Sequence, residues 1–274
     1  MSVEGYSESW AKRLEKIAHQ VNGSTAWRPM PLDPVERVVS AKPIPIFSDM
    51  HMPIHSKEWL LHGIKCAHAV GAEDIILNGD VLDLNEISRH MGSYYRRRKD
   101  MGDDMDAGEA VLKILCENFR KVYWLSGNHC LERLLKLFGG ELNAQRLSKL
   151  VGSFDNLKVT SRSFLDINDN VRICHPRQYS RIRGALAQRL AMRWQMHVAT
   201  GHEHHAAMSF STDGKWQAVS IPCMADTHIQ DYVRNELNDF PEPMQGFAMV
   251  FGNWIQVFTE HTPWEMFGLP EFVK

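Results

Sequence analysis

The chain has 274 residues, 44% hydrophobic and 23% charged, a balance that suits a soluble globular protein and argues against disordered, collagen-like or coiled-coil chains. That length suits one large domain or two small ones and can bury a sizeable core without disulfides. With 31 Lys+Arg against 33 Asp+Glu the net charge is −2, so only a local patch could attract nucleic acid or an anionic membrane. Histidine is the unusual count, at 14, and it is the residue of metal ligation and proton transfer near neutral pH. The five cysteines (Cys66, Cys116, Cys130, Cys174, Cys223) are odd in number and scattered, with no CxxC knuckle. They form no disulfide framework and fit a reducing cytosol, reading as small buried hydrophobes. The first 30 residues hold no apolar leader core, and no stretch approaches 18 uncharged apolar residues. A cytoplasmic protein without a membrane span is therefore expected.

In chain order, Trp10, Leu14, Ile17, Ala18 and Val21 recur at helical spacing and predict a helix over 7–21, stopped by Asn22-Gly23. Three prolines over 27–35 predict an extended linker, so residues 1–35 read as an N-terminal helix and proline-rich linker, and 36–274 as the main domain. Packing of that helix on the main domain is favoured over partner binding. Short apolar runs at 44–47, 74–77 and 122–125 predict buried strands, and residues 57–70 and 103–119 predict helices between them. Asp103, Asp104 and Asp106 suit the start of the second helix, where the macrodipole favours acids. Residues 130–150 read as mostly helical around Gly139-Gly140. Strands are then predicted at 157–160, 163–167, 170–174, 196–199, 205–211 and 215–221, with a helix over 180–195 and a final hairpin of 247–251 and 254–258. This order suits a layered α/β or α+β architecture with a second sheet.

Five of the predicted strand ends run into metal-competent residues. These are Ser48-Asp49-Met50-His51, Asn78-Gly79-Asp80-Val81-Leu82-Asp83, Ser126-Gly127-Asn128-His129, Cys174-His175 and Thr200-Gly201-His202-Glu203-His204. Ligands in open α/β folds gather at the carboxyl ends of strands. In extended backbone residues i and i+2 point the same way, so Asp49 and His51 can address one centre, and so can His202 and His204. Gly79, Gly127 and Gly201 each precede a polar residue, where a turn without a Cβ helps. Two aspartates, one asparagine and four histidines exceed what one four-coordinate ion needs and suit a pair of divalent ions. Nitrogen and oxygen donors without thiolate favour manganese, iron, zinc or cobalt over calcium or magnesium.

The ordered set D-x-H, G-D-x-x-D, G-N-H, lone H and G-H-x-H resembles the calcineurin-like metallophosphoesterase superfamily over residues 44–258. The resemblance implies a four-layer α-β-β-α sandwich of two mixed sheets flanked by helices. It implies that Asp49, His51 and His204 hold one metal, that Asn128, His175 and His202 hold a second, and that Asp80 bridges both. It makes His129 the acid that protonates the leaving group, and leaves Asp83 supporting a ligand histidine or its loop. Two departures stand out. Cys130 occupies the place of the acid that usually follows G-N-H, with Glu132 a less favoured substitute. Leu84 follows Asp83, so the G-D-x-V-D-R-G form of protein phosphatases is missing.

The segment after Asp83 carries Arg89, Tyr94, Tyr95, Arg96, Arg97, Arg98 and Lys99, a set suited to phosphate capture and base stacking if it overhangs the site. Arg177 and Arg181 follow His175 and are further substrate-binding candidates. His62 and His68 read as helix-surface or half-buried residues, His205 as turned away from the metals, and His228 as outside the pocket. The expected function is a phosphodiesterase or nuclease-like hydrolase of nucleotides or nucleic acid, with two divalent ions, manganese first. Phosphomonoesterase action on a small metabolite or phosphoprotein, and a non-catalytic scaffold, are the alternatives. The substrate, a phosphoester, is the expected partner, no membrane is expected, and protein partners are left open.

Overall fold

Alternating burial along the strands builds the frame. In the strand Ile44–Ser48, Ile44 and Ile46 face one apolar layer and Phe47 faces another. In Asp74–Asn78, Ile76 joins the first layer and Ile75 and Leu77 the second. In Lys121–Leu125, Tyr123 and Leu125 oppose Val122 and Trp124 in the same way. A strand buried on both faces needs a layer on each side, and this period-2 pattern supplies one.

The computed structural model describes residues 37–84, 101–137, 144–228 and 242–273. The expected N-terminal helix and linker, Gly139-Gly140 and the basic tyrosine segment lie outside the described residues. Within them the strands are β1 Arg37–Val38, β2 Ile44–Ser48, β3 Asp74–Asn78, β4 Lys121–Leu125, β5 Leu157–Val159, β6 Phe164–Ile167, β7 Val171–Cys174, β8 His197–Thr200, β9 Ala207–Phe210, β10 Gln217–Ser220, β11 Phe247–Phe251 and β12 Trp254–Phe258. The helices are α1 Lys57–Ala69, α2 Met101–Asn118, α3 Leu131–Leu137, α4 Ala144–Leu147 and α5 Ala185–Trp194. Two mixed six-stranded sheets result, ordered β1-β6-β7-β8-β10-β9 and β12-β11-β2-β3-β4-β5. Strands β2 to β5 are parallel, with Ile46 opposite Ile76 and Ile76 opposite Tyr123, while β11 joins β2 antiparallel. In the other sheet β7, β8 and β10 run parallel.

Aliphatic residues fill the layer between the sheets, with Ile46, Ile76, Ile173 and Val219 fully buried. Each such side chain contributes on the order of 1.5–3 kcal/mol by leaving water. α1, α2 and α3 cover the outer face of the second sheet, and α5 packs Leu186, Ala187 and Leu190 on the outer face of the first. The four-layer α-β-β-α architecture is thus observed. No helix among the described residues is long and apolar enough to cross a membrane.

Two local features depart from the sequence reading. β1 is only two residues long, pairing with β6, and the 3-10 turn Trp264–Phe267 follows β12; both are too short to show a period. That turn also explains His62. The ring is buried among Trp59, Trp264 and Phe272 rather than on a helix surface, because the C-terminal segment covers the α1 face that spacing alone leaves open. His68 is partnered on the outside, stacked on Phe119 with Nε2 3.0 Å from Asn118 Oδ1.

Candidate metal centre

All five motifs meet where the carboxyl ends of β2, β3 and β4 face those of β7 and β8. The loops after β2 and β3 are zipped together by His51 N–H to Asp80 O (2.8 Å) and Met52 N–H to Val81 O (2.9 Å). Asn78 ties the sheets to each other, donating from Nδ2 to Ser48 Oγ (3.3 Å) and to Cys174 O (3.1 Å). The chain leaves the strands sharply. Asp49, His51, Asp80, His202 and His204 all have left-handed backbone, with φ from 43° to 76°. Such residues cost of order 1–3 kcal/mol each and persist where the surroundings over-determine them. Asp and His tolerate this region better than most side chains. The extended i, i+2 geometry expected of Asp49/His51 and of His202/His204 is therefore not what aims them.

The consequence is largest for the G-H-x-H segment. His204 joins Asp49 and His51, whereas His202 joins Asp80 and His175. The two histidines thus address different groups, as the resemblance implies and simple alternation does not. Within each group the donor atoms lie within 4.8 Å of one another. His51 Nε2 is 3.3 Å from His204 Nε2, and His204 Nε2 is 3.3 Å from Asp49 Oδ1. His175 Nε2 is 3.1 Å from Asp80 Oδ2 and 3.2 Å from Asn128 Oδ1.

Each carboxylate turns one oxygen mainly to the scaffold and the other toward the two groups, though the His202 N–H also reaches Asp49 Oδ1 at 3.2 Å. Asp80 Oδ1 accepts the His129 N–H at 2.7 Å, while Oδ2 lies 3.1 Å from His175 and 4.0 Å from His51. Asp49 Oδ2 accepts from Ser48 Oγ (2.5 Å) and the His202 N–H (3.0 Å), while Oδ1 lies 3.3 Å from His204 and 4.0 Å from His175. The imidazoles are also preset. His175 Nδ1 donates to Asn78 O at 2.8 Å, which leaves Nε2 toward the centre; His51 Nδ1 faces Asp83 Oδ1 at 2.9 Å with the same effect. Orientation through the far ring nitrogen is how metal-binding histidines are held. This donor set fits a pair of divalent ions.

The glycines make the approach possible. A Cβ at Gly127 would collide with the Asp80 backbone and carboxylate, one at Gly79 with the His175 ring, and one at Gly201 with Ser48 Oγ. Electrostatics follow from the crowding. Burial alone would raise the Asp49 and Asp80 carboxyls, but His175 beside both, with His204 and His129, holds them far below the usual carboxylate range. Burial alone would lower His175, but Asp80 and Asp49 push it up to about 9. Burial, then the charge of His175, pushes His202 down to about 4.

His129 stands against the first group, its ring 4.8 Å from His51, and with His51 and Asp83 it makes a third set of donor atoms within 4.8 Å of one another. Its Nδ1 lies 3.4 Å from Asp83 Oδ1, close enough for an ion pair though outside good hydrogen-bond geometry. Asp83, not an acid after G-N-H, is therefore the carboxylate beside His129, and it faces His51 as well. Cys130 is buried, its thiol directed at Gly127 O. Glu132 pairs with Lys136 and Arg177 and does not serve His129. Sequence reasoning missed the roles of Asn78, Ser48 and Arg133. The last donates from Nη1 to Asp83 O (2.8 Å) and Leu84 O (3.0 Å), while Asp104 Oδ2 accepts the Leu84 N–H at 3.0 Å.

Of the candidate substrate residues, Arg89, Tyr94, Arg96 and Arg97 lie outside the described residues. Arg177 is exposed, 2.9 Å from Glu132, at the rim of a groove that starts at Asn128 and His175. His205 is buried beside Tyr179, and neither it nor the exposed His228 joins the histidine–aspartate groups.

No curated protein matches the chain. Among solved structures it is similar to a variant of Vps29 from Entamoeba histolytica, with 11% identity over 80% of this chain and 93% of that one and a TM-score of 0.43. It is similar to the phosphoesterase YfcE from E. coli, with 16% identity over 79% of this chain and 92% of that one and a TM-score of 0.43. A cold-active protein-tyrosine phosphatase from a Shewanella species is similar at 11% identity over 82% of this chain and 80% of that one, with a TM-score of 0.38. The family model described as calcineurin-like phosphoesterase matches residues 42–206, more than half of the chain and the span that holds every residue of both groups. The chain belongs to the calcineurin-like phosphoesterase family.

Proposed function

We propose that the chain is a dinuclear-metal phosphoesterase that cleaves phosphodiesters, with nucleotides or nucleic acid as substrates. One observation carries this reading: two histidine–aspartate groups share the inward oxygens of Asp49 and Asp80, with His129 standing beside them. Asp49, His51 and His204 would hold one ion; Asn128, His175 and His202 would hold the other; Asp80 would bridge. When bound, two divalent ions, manganese first, neutralise the phosphoryl oxygens and lower the pKa of a water.

The chain's own contribution is preorganisation. The inward oxygens of Asp49 and Asp80 are set by scaffold hydrogen bonds before substrate arrives, so no reorganisation is needed at the moment of reaction. With His129 Nδ1 turned to Asp83, Nε2 is the atom that hands a proton to the leaving oxygen. The preference for diesters rests on Leu84. It is fully buried, and it stands where the protein-phosphatase pattern has an arginine, so that position offers no cation. A phosphomonoester carries more negative charge than a diester and needs that cation more. The free cysteine thiols suit a cytoplasmic enzyme.

Purified protein with Mn²⁺ is expected to cleave bis-p-nitrophenyl phosphate faster than p-nitrophenyl phosphate. Cleavage of the monoester alone overturns the diester preference. Full activity in His129→Ala removes the proposed acid, and activity without stoichiometric metal removes the dinuclear reading.

A further inference from the structure

We propose that the groove opening from Asn128 and His175, between α3 and α5, seats a single nucleic-acid strand whose scissile phosphate lies at the metal centre. The orientation of the strand rests on the hydrolase reading above; the binding itself does not. The groove has a volume of about 720 Å³, within the range that seats a drug-sized ligand and far more than one phosphate needs. Among its described lining residues are three cations, Lys136, Arg177 and Arg193, against one carboxylate, Glu132. Lys136 and Arg177 both reach Glu132, which cannot neutralise two charges. Arg193 is exposed on the last turn of α5. A net positive groove in a chain of net charge −2 is the local patch that whole-chain composition could not show.

The second observation is aromatic. Phe164 and Trp194 line the same groove, and the Arg172 guanidinium sits 4.5 Å from one ring centre and 4.8 Å from the other. Asp166 grips that guanidinium from both oxygens, at 2.7 and 2.8 Å. The rings are therefore held before any ligand arrives. Cations beside preset aromatic rings are the elements with which proteins bind single strands without reading sequence. A phosphopeptide would use the cations and leave the rings idle.

The test uses fluorescein-labelled hexathymidylate and bis-p-nitrophenyl phosphate with the Mn²⁺-loaded full chain. Arg193→Glu and Lys136→Gln both change exposed side chains, so unchanged thermal midpoints are expected. Each variant should weaken hexathymidylate binding severalfold to tenfold. Loss of one phosphate contact should also lower the slope of log K against log salt by about 0.7. The ratio of kcat/KM for hexathymidylate to that for bis-p-nitrophenyl phosphate should fall by the same factor. Unchanged hexathymidylate binding in both variants overturns the groove while leaving the hydrolase reading intact. If neither ester is cleaved but binding is lost in the variants, the groove stands and the hydrolase reading fails. If a phosphoserine peptide binds with the same sensitivity and hexathymidylate does not, the strand assignment is wrong.

Discussion

The two halves of the metal centre are built from the same residue types but backed differently. In the first group His51 is held through Nδ1 by the carboxylate of Asp83, which also faces His129. In the second, His175 is held through Nδ1 by the neutral carbonyl of Asn78. A carboxylate holds a ligand imidazole by a charge-assisted hydrogen bond, stronger than the one a neutral carbonyl gives. The first group should therefore bind its ion more tightly and be coupled to proton transfer through Asp83. The second is open to the groove and holds a proton on His175 that an incoming ion must displace.

The sharpest way to break this contrast is to remove what the halves share. Asp80 faces both groups, so Asp80→Asn should cost metal at both and lower kcat by more than about 100-fold, beyond the 10–100-fold typical for the hydrogen-bond partners of ligands. Metal analysis after gel filtration and steady-state kinetics read the two effects. A variant that keeps two ions shows that Asp80 is not the shared ligand.

Asp83→Asn should separate the halves. Asparagine keeps the shape and can still accept from His51, but loses the charge. Affinity at the first group should fall by about 10–100-fold with the second unchanged, and kcat should fall by about 100-fold as His129 loses its partner. Competition with a fluorescent chelator resolves the two affinities. Equal losses at both groups remove the distinction between them.

The pH dependence of the metal-free protein tests the second group. His175 is raised from 6.5 to about 9, so its contribution is complete below pH 6.5 and is lost as pH rises toward 9. His202 is lowered from 6.5 to about 4, so its neutral burial costs stability as pH falls from 6.5 toward 4. Asp49, Asp80 and Asp83 lie below 3.8, so their contribution is present above that value and lost on acidification below it. Protein in EDTA should be most stable near pH 6.5, with Tm changing by about 2–4 °C per kcal/mol on either side. Manganese should move the maximum upward, because the ion takes the place of the His175 proton. An optimum that Mn²⁺ does not shift argues against ion binding at His175.

How much of the centre is legible in the sequence follows from range along the chain. Each of the five motifs sits within a few residues of the strand that carries it, as Gly79-Asp80 does after the apolar run Ile75-Ile76-Leu77. Asp49, His51, Asp80, Asn128, His175, His202 and His204 can therefore be picked out locally. The β2 to β4 frame is equally local, since each strand carries its own period. The split of His202 from His204 is not, because left-handed backbone at both residues replaces the alternation that a strand would impose. The carboxylate beside His129 is hidden for a similar reason. Asp83 is distant in sequence and reaches the ring only through the pairing of β3 with β4, whereas a linear motif points to the neighbouring position, Cys130. The groove draws on α3, β6, the loop after β7 and α5, which no linear pattern unites.

The smallest expected effect concerns Arg133, whose described contacts with the first group's loop are to backbone carbonyls. Its guanidinium holds the carbonyls of Asp83 and Leu84, and Leu84 has left-handed backbone, φ 44°. From α3 it thus fastens the turn that carries Asp83 to the helix that follows His129. Arg133→Met should loosen the Asp83 carboxylate without touching either group, lowering kcat by about threefold to tenfold and the first group's metal affinity by less than Asp83→Asn does, while KM and the second group's affinity hold. Arg133→Lys should recover part of the loss, because an ammonium can reach one carbonyl but lacks the planar fork that spans two. A fall in thermal midpoint with kcat unchanged would show that Arg133 only stabilises the fold. A fall in the affinity of the second group would place its influence on the wrong side of the centre.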